Sequence, residues 1–512
     1  MPTQVLGAKR PKAAPKPMAK PYHYRNFING EWVGTSSGKH VPNVNPANTD
    51  DIIGLAPQST REEAKGAIQA AAAAFPAWRN TAAPQRGRII AKAVQLCYEY
   101  KEDIAHTMTH EEGKTLTESR GEVQKSINLL EYYSGQAFRI EGRTYPSEMP
   151  STFVYTIRQP LGVVSCITPW NFPFCIPVWK TAPALVAGNT VVFKAASNTP
   201  GCAEWLVKLY EEAGIPKGVI NLVYGGGSTV GDEFVNNPAI RAVSFTGSCG
   251  VGGEVAKQAA AHLAKVTCEM GDKNPVVVMD DADLDIAVEG TAQGAFGSTG
   301  QRCTATSRVI LHKAIADKFL EKLVERVKKI KVGDGFEEGV NMGPAVDKSQ
   351  FETDLRYIEI AKREGCKCLV GGGALKEGKL GKGFFVAPTV FDNVTPDKTL
   401  AQEEVFGPVL AVFRVGDFEE AMKIANGVQF GLTCSIYTSD ANLVMKFTDR
   451  IEAGMVHINS PTVGGEAQLP FGGSKGTGYG SREMSEEGLN FFTELKTVFY
   501  DYTGVKRQTN IY

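Results

Sequence analysis

The chain has no run of 18 apolar residues, so nothing in it reads as a membrane-spanning helix. It has no excess of either charge: 55 Lys and Arg against 56 Asp and Glu leave a net charge of -1, which removes the electrostatic ground for a nucleic-acid or acidic-membrane partner. Cysteine is sparse, 10 in 512 residues, and its scatter fits a reducing compartment better than a disulfide framework. The one close pair, Cys366 and Cys368, reads as part of a Gly-rich loop, and no second Cys/His pair stands at zinc spacing, so no metal is expected. The first twenty residues, MPTQVLGAKRPKAAPKPMAK, lack the apolar core of a secretory signal and read as a flexible, solvated tail. What remains is a cytoplasmic globular protein whose partners are small molecules or other subunits.

A chain of 512 residues exceeds one ordinary core, so two or three domains are expected. Ordered structure is predicted from about Tyr22, where NFINGEWV forms a hairpin about Asn29 and Gly30. Helices are predicted over 61–75, 85–105 and 118–139. From Leu161 short apolar strands alternate with helices: strands at 162–168, 189–195, 219–225, 242–247 and 275–280, with helices at 201–213 and 250–263 between them. Continuous apolar strands separated by amphipathic helices are the pattern of a parallel sheet covered on both faces. A second α/β series begins with a strand at 308–312 and a helix over 314–331, whose apolar stripe is Ile315, Phe319, Leu323, Val327 and Ile330. The stretch 490–502 reads as a late strand, suited to pairing with another subunit or with an edge of its own.

Four stretches carry chemistry. Cys303 stands in GSTGQRCTATSR, where small neighbours allow close backbone approach, Arg302 can stabilise a thiolate, and the cysteine N–H can face an oxyanion. Read alone, the signal is weak, because a free cysteine is usually a small buried hydrophobe. Asn171, between the prolines of PWNFP, sits on a rigid turn and can donate an N–H, or merely satisfy its own loop. Glu269 in TCEMG is a general base or a solvated loop carboxylate. Phe245-Thr246-Gly247-Ser248 ends a strand before a helix, a place for a phosphate, although no intact G-x-G-x-x-G is present.

Taken together and in order, PWNFP at 169–173, Lys194 of FKAAS, FTGS at 245–248, CEMG at 268–271, GQRC at 300–303, EEVFGP at 403–408 and PFGGSK at 470–475 resemble the aldehyde dehydrogenase superfamily, from about residue 22 to 505. The resemblance implies an α/β fold of two Rossmann-like domains plus a β oligomerisation arm. It implies a dinucleotide-binding domain of 21–139 and 161–272, a catalytic domain of 273–480, and an arm of 140–160 and 485–507 that makes a homodimer or homotetramer.

The resemblance also implies roles. Cys303 attacks the aldehyde, Asn171 and the Cys303 N–H hold the oxyanion of the thiohemiacetal, and Glu269 activates the water that hydrolyses the thioester to a free acid. Cofactor positions carried over are Thr168, Pro169, Trp170, Lys194, Ser197, Phe245, Gly247, Ser248, Gly271, Glu404 and Phe406. Channel positions are Phe174, Ile176, Trp179, Phe296, Arg302, Thr304 and Phe471.

Three departures from the family pattern matter. Lys194-Ala195-Ala196-Ser197 lacks the glutamate that NAD-preferring relatives place on the ribose, so NADP is expected to serve at least as well as NAD. Asp272 stands where glycine is usual. Gly297 stands where some semialdehyde dehydrogenases carry a carboxylate-binding arginine, which leaves Arg302 or Lys180 as the cation for a dicarboxylate semialdehyde.

The texture of GQRCTATSR and of 459–473 is closest to 2-oxoglutarate semialdehyde (2,5-dioxopentanoate) dehydrogenases, with broad aliphatic or aromatic aldehyde oxidation as the alternative. A coenzyme A-acylating relative usually lacks the general-base glutamate, which is present here. A catalytically silent structural member would have relaxed this residue set, and a cysteine hydrolase needs a histidine partner that none of the seven histidines supplies in these motifs.

Overall fold

Five strands, Val163–Ile167, Thr190–Lys194, Ile220–Leu222, Ile240–Thr246 and Lys265–Glu269, run parallel in the computed structural model, which describes residues 21–505. Their side chains alternate between two cores, as a period of two requires: Val164, Cys166, Val191 and Phe193 face one, and Val163, Ile167, Val192 and Phe245 face the other. Helices Ala83–Glu99, Leu116–Gln136, Cys175–Ala187 and Pro200–Ala213 contribute to the first core, while Arg61–Asn80 and Cys249–Ala260 contribute to the second.

The order of these strands fixes where a ligand can enter. From Val163–Ile167 the chain steps one way through Thr190–Lys194 to Ile220–Leu222, then returns to place Ile240–Thr246 and Lys265–Glu269 on the other side. A crevice therefore opens at the carboxyl ends of Val163–Ile167 and Ile240–Thr246, where the order reverses. The same sheet gains antiparallel edges from Gly478–Tyr479 and from the hairpin Asn26–Ile28 and Glu31–Val33, whose turn residues Asn29 and Gly30 both have positive φ, 52° and 77°.

A seven-stranded sheet follows, with Pro275–Val278, Arg308–His312, Val409–Val415 and Thr433–Tyr437 at its centre, again alternating between two cores. A nine-residue antiparallel register joins Thr493–Asp501 to Thr152–Pro160, with Thr144–Tyr145 on the other side. Phe153, Phe499 and Tyr500 of this ribbon are exposed.

Several expectations change in detail. The helix predicted over 85–105 is two, Ala83–Glu99 and Lys101–Glu112, broken at Tyr100, whose ring packs on Trp205 at 5.4 Å. Cys366 and Cys368 are not in a loop: Cys366 is buried and Cys368 lies on the strand Lys367–Val370. Lys265–Glu269 went unpredicted because its short, mixed sequence carries no apolar run. The predicted tail of 1–20 and the last two residues of the predicted arm lie outside the described residues. Among the described residues no helix is long and apolar enough to cross a membrane, and no group of three or more His, Cys, Asp or Glu could hold a metal.

Candidate active site

Cys303 follows a tight turn that the backbone enters at a cost. Ser298, Thr299 and Gly300 hold φ of 49°, 61° and 68° in succession, a left-handed run that two residues with side chains rarely adopt. Side chains hold it in place: Glu118 accepts from the Ser298 N–H at 2.6 Å, Thr299 Oγ1 donates to the Gly343 carbonyl at 3.0 Å, and Gln301 Oε1 accepts from the Val346 N–H at 2.9 Å. A Cβ on Gly300 would lie 2.3 Å from the Gly407 carbonyl oxygen, so this position admits only glycine. Beyond the turn Asn274 Nδ2 donates to the carbonyls of Cys303 and Ala305 at 2.8 and 2.7 Å. The Cys303 N–H has no partner among the described residues, so it is free to meet a negative oxygen.

Asn171 approaches from the loop that follows the first-sheet strand Val163–Ile167. Its Nδ2 donates to the Gln301 carbonyl at 3.1 Å, and the second N–H of the amide stays available. Its backbone carbonyl accepts from buried Lys114 at 2.7 Å, and Lys114 in turn pairs with Glu122 at 2.7 Å. Glu122 also accepts the N–H groups of Phe174 and Cys175, both at 3.0 Å, and so caps the helix that starts after PWNFP. The motif is thus fixed from below by a buried ion pair.

Glu269 ends its strand, buried, with Oε2 lacking a hydrogen-bond partner among the described residues. Burial, followed by the charge of Glu483, raises its carboxyl well above the ordinary value, and Lys180 and Arg482 pull against this. Gly472, at φ 147°, lets the chain pass: a Cβ there would lie 2.3 Å from Glu269 Oε1. The Cys303 thiol is pushed up to about 12 by burial first and by the charges of Glu269 and Glu404 next, while Lys125 lowers it. The thiol and the carboxyl therefore share one electrostatic environment in which each resists becoming an anion.

The crevice of the first sheet carries the polar groups that a dinucleotide would need. Thr168 Oγ1 and Thr246 Oγ1 are buried without partners at the ends of two strands. Ser248 begins the helix Cys249–Ala260 without a side-chain cap, which leaves its hydroxyl and the first N–H groups free. Lys194 is buried with its Nζ bonded only to the Ala195 carbonyl at 3.3 Å, and burial lowers it to about 8. Ser197 is half-buried three residues on, with no carboxylate between them.

Glu404 accepts from the Asp272 N–H at 2.9 Å, and burial raises it to about 7. A Cβ on Gly271 would lie 2.0 Å from Glu404 Oε2. Phe406, at φ 62°, meets Trp170 edge-on at 5.4 Å, beside half-buried Pro169. Phe245 lies beneath, its ring within 2.5 Å of where Gly247 would place a Cβ. Orphaned hydroxyls, a free helix terminus and an unpaired ammonium at one switch point fit the phosphates and riboses of a dinucleotide.

The expected aldehyde channel is assembled only in part. Phe174, Ile176, Trp179 and Phe471 share one core with Cys303, and Trp179 lies 5.2 Å from Phe471. Thr304 is buried beside them, its carbonyl accepting from Thr462 at 2.8 Å. Phe296 belongs instead to a core of the second sheet, with Val276, Ala292 and Leu311, because the helix Leu284–Phe296 turns that residue inward.

Neither expected cation is free. Arg302 donates to Ser298 Oγ at 2.7 Å and pairs with Glu118 at 3.4 Å, and buried Lys180 is tied to Glu483 and Ser244. Sequence reading missed Lys114, Glu122, Asn274 and Glu483, which meet partners tens to hundreds of residues away, and Arg482, which bonds the Gly473 carbonyl nine residues before it. It also missed Lys273, buried beside Glu404 with its Nζ unpartnered and lowered to about 7 by burial.

The aldehyde dehydrogenase family matches residues 32–498. The chain is 48% identical over 476 residues to the alpha-ketoglutaric semialdehyde dehydrogenase of Bacillus subtilis, which covers 93% of this chain and 98% of that one. It is 46% identical to the 2,5-dioxopentanoate dehydrogenase of Saccharolobus solfataricus, with 92% and 98% covered. The crystal structure of betaine aldehyde dehydrogenase from Staphylococcus aureus in complex with NAD+ superposes with a TM-score of 0.92 at 35% identity, over 94% of this chain and 95% of that one.

Proposed function

The chain belongs to the aldehyde dehydrogenase family, and we propose that it oxidises a carboxylate-bearing semialdehyde, with 2-oxoglutarate semialdehyde favoured, to the free dicarboxylic acid. Cys303 releases its thiol proton to solvent as Sγ bonds to the aldehyde carbon and the C=O π pair moves onto oxygen, and the resulting oxyanion takes hydrogen bonds from Asn171 Nδ2 and the Cys303 N–H. The dinucleotide, when bound, supplies the hydride acceptor that turns the thiohemiacetal into a thioester. Glu269 then takes a proton from water as its oxygen attacks the thioester carbon, and the acid leaves as Cys303 regains its proton.

The observation that carries the reading is Glu269 itself: a buried carboxyl with an unpartnered oxygen, electrostatically coupled to the Cys303 thiol. A coenzyme A-acylating enzyme has no use for such a base. Assay without coenzyme A tests this directly. Free acid and reduced dinucleotide in equal amounts support the proposal, and turnover that requires coenzyme A contradicts it.

Both NAD and NADP fall within the family's chemistry, and the residues here favour NADP. Lys194 and Ser197 would approach a 2′-phosphate, and no carboxylate stands between them to repel it. Thr168, Pro169, Trp170, Phe245, Gly247, Ser248, Gly271, Glu404 and Phe406 complete the cofactor positions. The segments 21–139 and 161–272 would hold the cofactor and 273–480 the nucleophile. The ribbon of 140–160 and 485–505 would join copies into a dimer or tetramer. Ten free cysteines support a reducing, cytoplasmic setting.

A further inference from the structure

We infer that Lys125 is the carboxylate-binding residue of the aldehyde channel, an inference that rests on the proposed carboxylate-bearing substrate. On the helix Leu116–Gln136 residues three and four apart share a face, and Lys125 lies at the edge of the buried face, between buried Glu122 and Leu129 and exposed Gly121 and Asn128. The lysine is itself half-buried. Its Nζ stands 5.5 Å from the centroid of the Trp179 ring, and that ring packs against Phe471 in the core that Cys303 joins. Opposite is Gly465, where a Cβ would come within 3.6 Å of the ammonium, so a glycine here keeps the space in front of the charge open.

Lys125 has no hydrogen bond or ion pair among the described residues. The two cations expected at the channel are already neutralised, Arg302 by Glu118 and Lys180 by Glu483. An unpaired ammonium beside an aromatic wall gains a charge-assisted hydrogen bond when a substrate carboxylate meets it. A semialdehyde with an acid at its far end thus meets a nucleophile at one end and a cation at the other.

The test compares wild type, Lys125→Met and Lys125→Arg on 2-oxoglutarate semialdehyde and on pentanal, which has the same number of carbons and no acid. The expected result for Lys125→Met is a rise of about 10- to 100-fold in KM for the semialdehyde, the range of one charged hydrogen bond. Its kcat should change little, pentanal kinetics should stay within about threefold, and Lys125→Arg should restore part of the loss. An equal loss on both aldehydes, or none on the semialdehyde, overturns the inference. A wild type that prefers the semialdehyde while Lys125→Met keeps that preference overturns the inference alone. A wild type that prefers pentanal overturns the substrate proposal together with it.

Discussion

Asn171 Nδ2 donates to the carbonyl of Gln301, two residues before Cys303, at 3.1 Å. One amide hydrogen is thus spent on binding the two loops together, and the other is left for the substrate. Asn171→Ala should lower kcat/KM by about 100- to 1,000-fold, the usual cost of one oxyanion donor. Stability should fall by only about 1 kcal/mol for the lost loop contact. Steady-state rates beside thermal melts check both, and a melt that collapses with the rate would make Asn171 structural alone.

Glu269 should set an acidic limb in the pH profile. Its carboxyl is held well above the ordinary value, chiefly by burial, and only the ionised form can accept a proton from water. The rate of thioester hydrolysis should therefore rise with pH through a value above the usual carboxylate range, and Glu269→Gln should abolish this limb. The stability sign is opposite: because the folded-state pKa is raised, the unfolded chain ionises first, and stability is lost as pH rises through that window. Glu269→Gln should melt higher than wild type at pH 8, with the gap closing as pH falls toward 4.5. Parallel melting curves across that range would contradict the assignment.

Much of this site was legible in the sequence, and the boundary has a physical cause. Cys303 and Asn171 were ambiguous one at a time, and Glu404 was silent; the ordered set of short motifs and the family resemblance it carries marked all three. Lys125 stays unmarked, because one lysine on a helix reads as solvated until Trp179, 54 positions on (179 − 125), closes over it. Arg302 misled for the same reason: its partner Glu118 lies 184 residues away. Phe296 is an apolar residue seven positions before Cys303, and only the packing of the helix Leu284–Phe296 reveals that it faces the second core. Four parallel strands of the first sheet were readable because their burial on both faces leaves a continuous apolar run, whereas Lys265–Glu269 carries no such run and the break at Tyr100 leaves no Gly or Pro to mark it.

Cofactor choice should follow Lys194. With no carboxylate nearby, Lys194→Met should reduce kcat/KM for NADP by about tenfold more than for NAD, a difference of roughly 1.4 kcal/mol. In the wild type, a preference for NAD greater than about tenfold would contradict the NADP proposal.

The exposed ribbon predicts an assembly. Phe499 is 72% exposed and Tyr500 61% on a strand whose inner neighbour is already paired, an apolar aromatic edge that another copy would cover. Phe499→Asp should shift light-scattering mass toward a smaller species. A wild-type monomer would contradict the assembly.

The central claim is a thioester on Cys303 that Glu269 releases. Acid quench of Glu269→Gln with dinucleotide and semialdehyde, followed by peptide mass spectrometry, tests it most directly. The account predicts one acyl group on the peptide carrying Cys303, formed together with one equivalent of reduced dinucleotide and absent from Cys303→Ala. Full turnover by Glu269→Gln with no adduct, or an adduct on another residue, would contradict it.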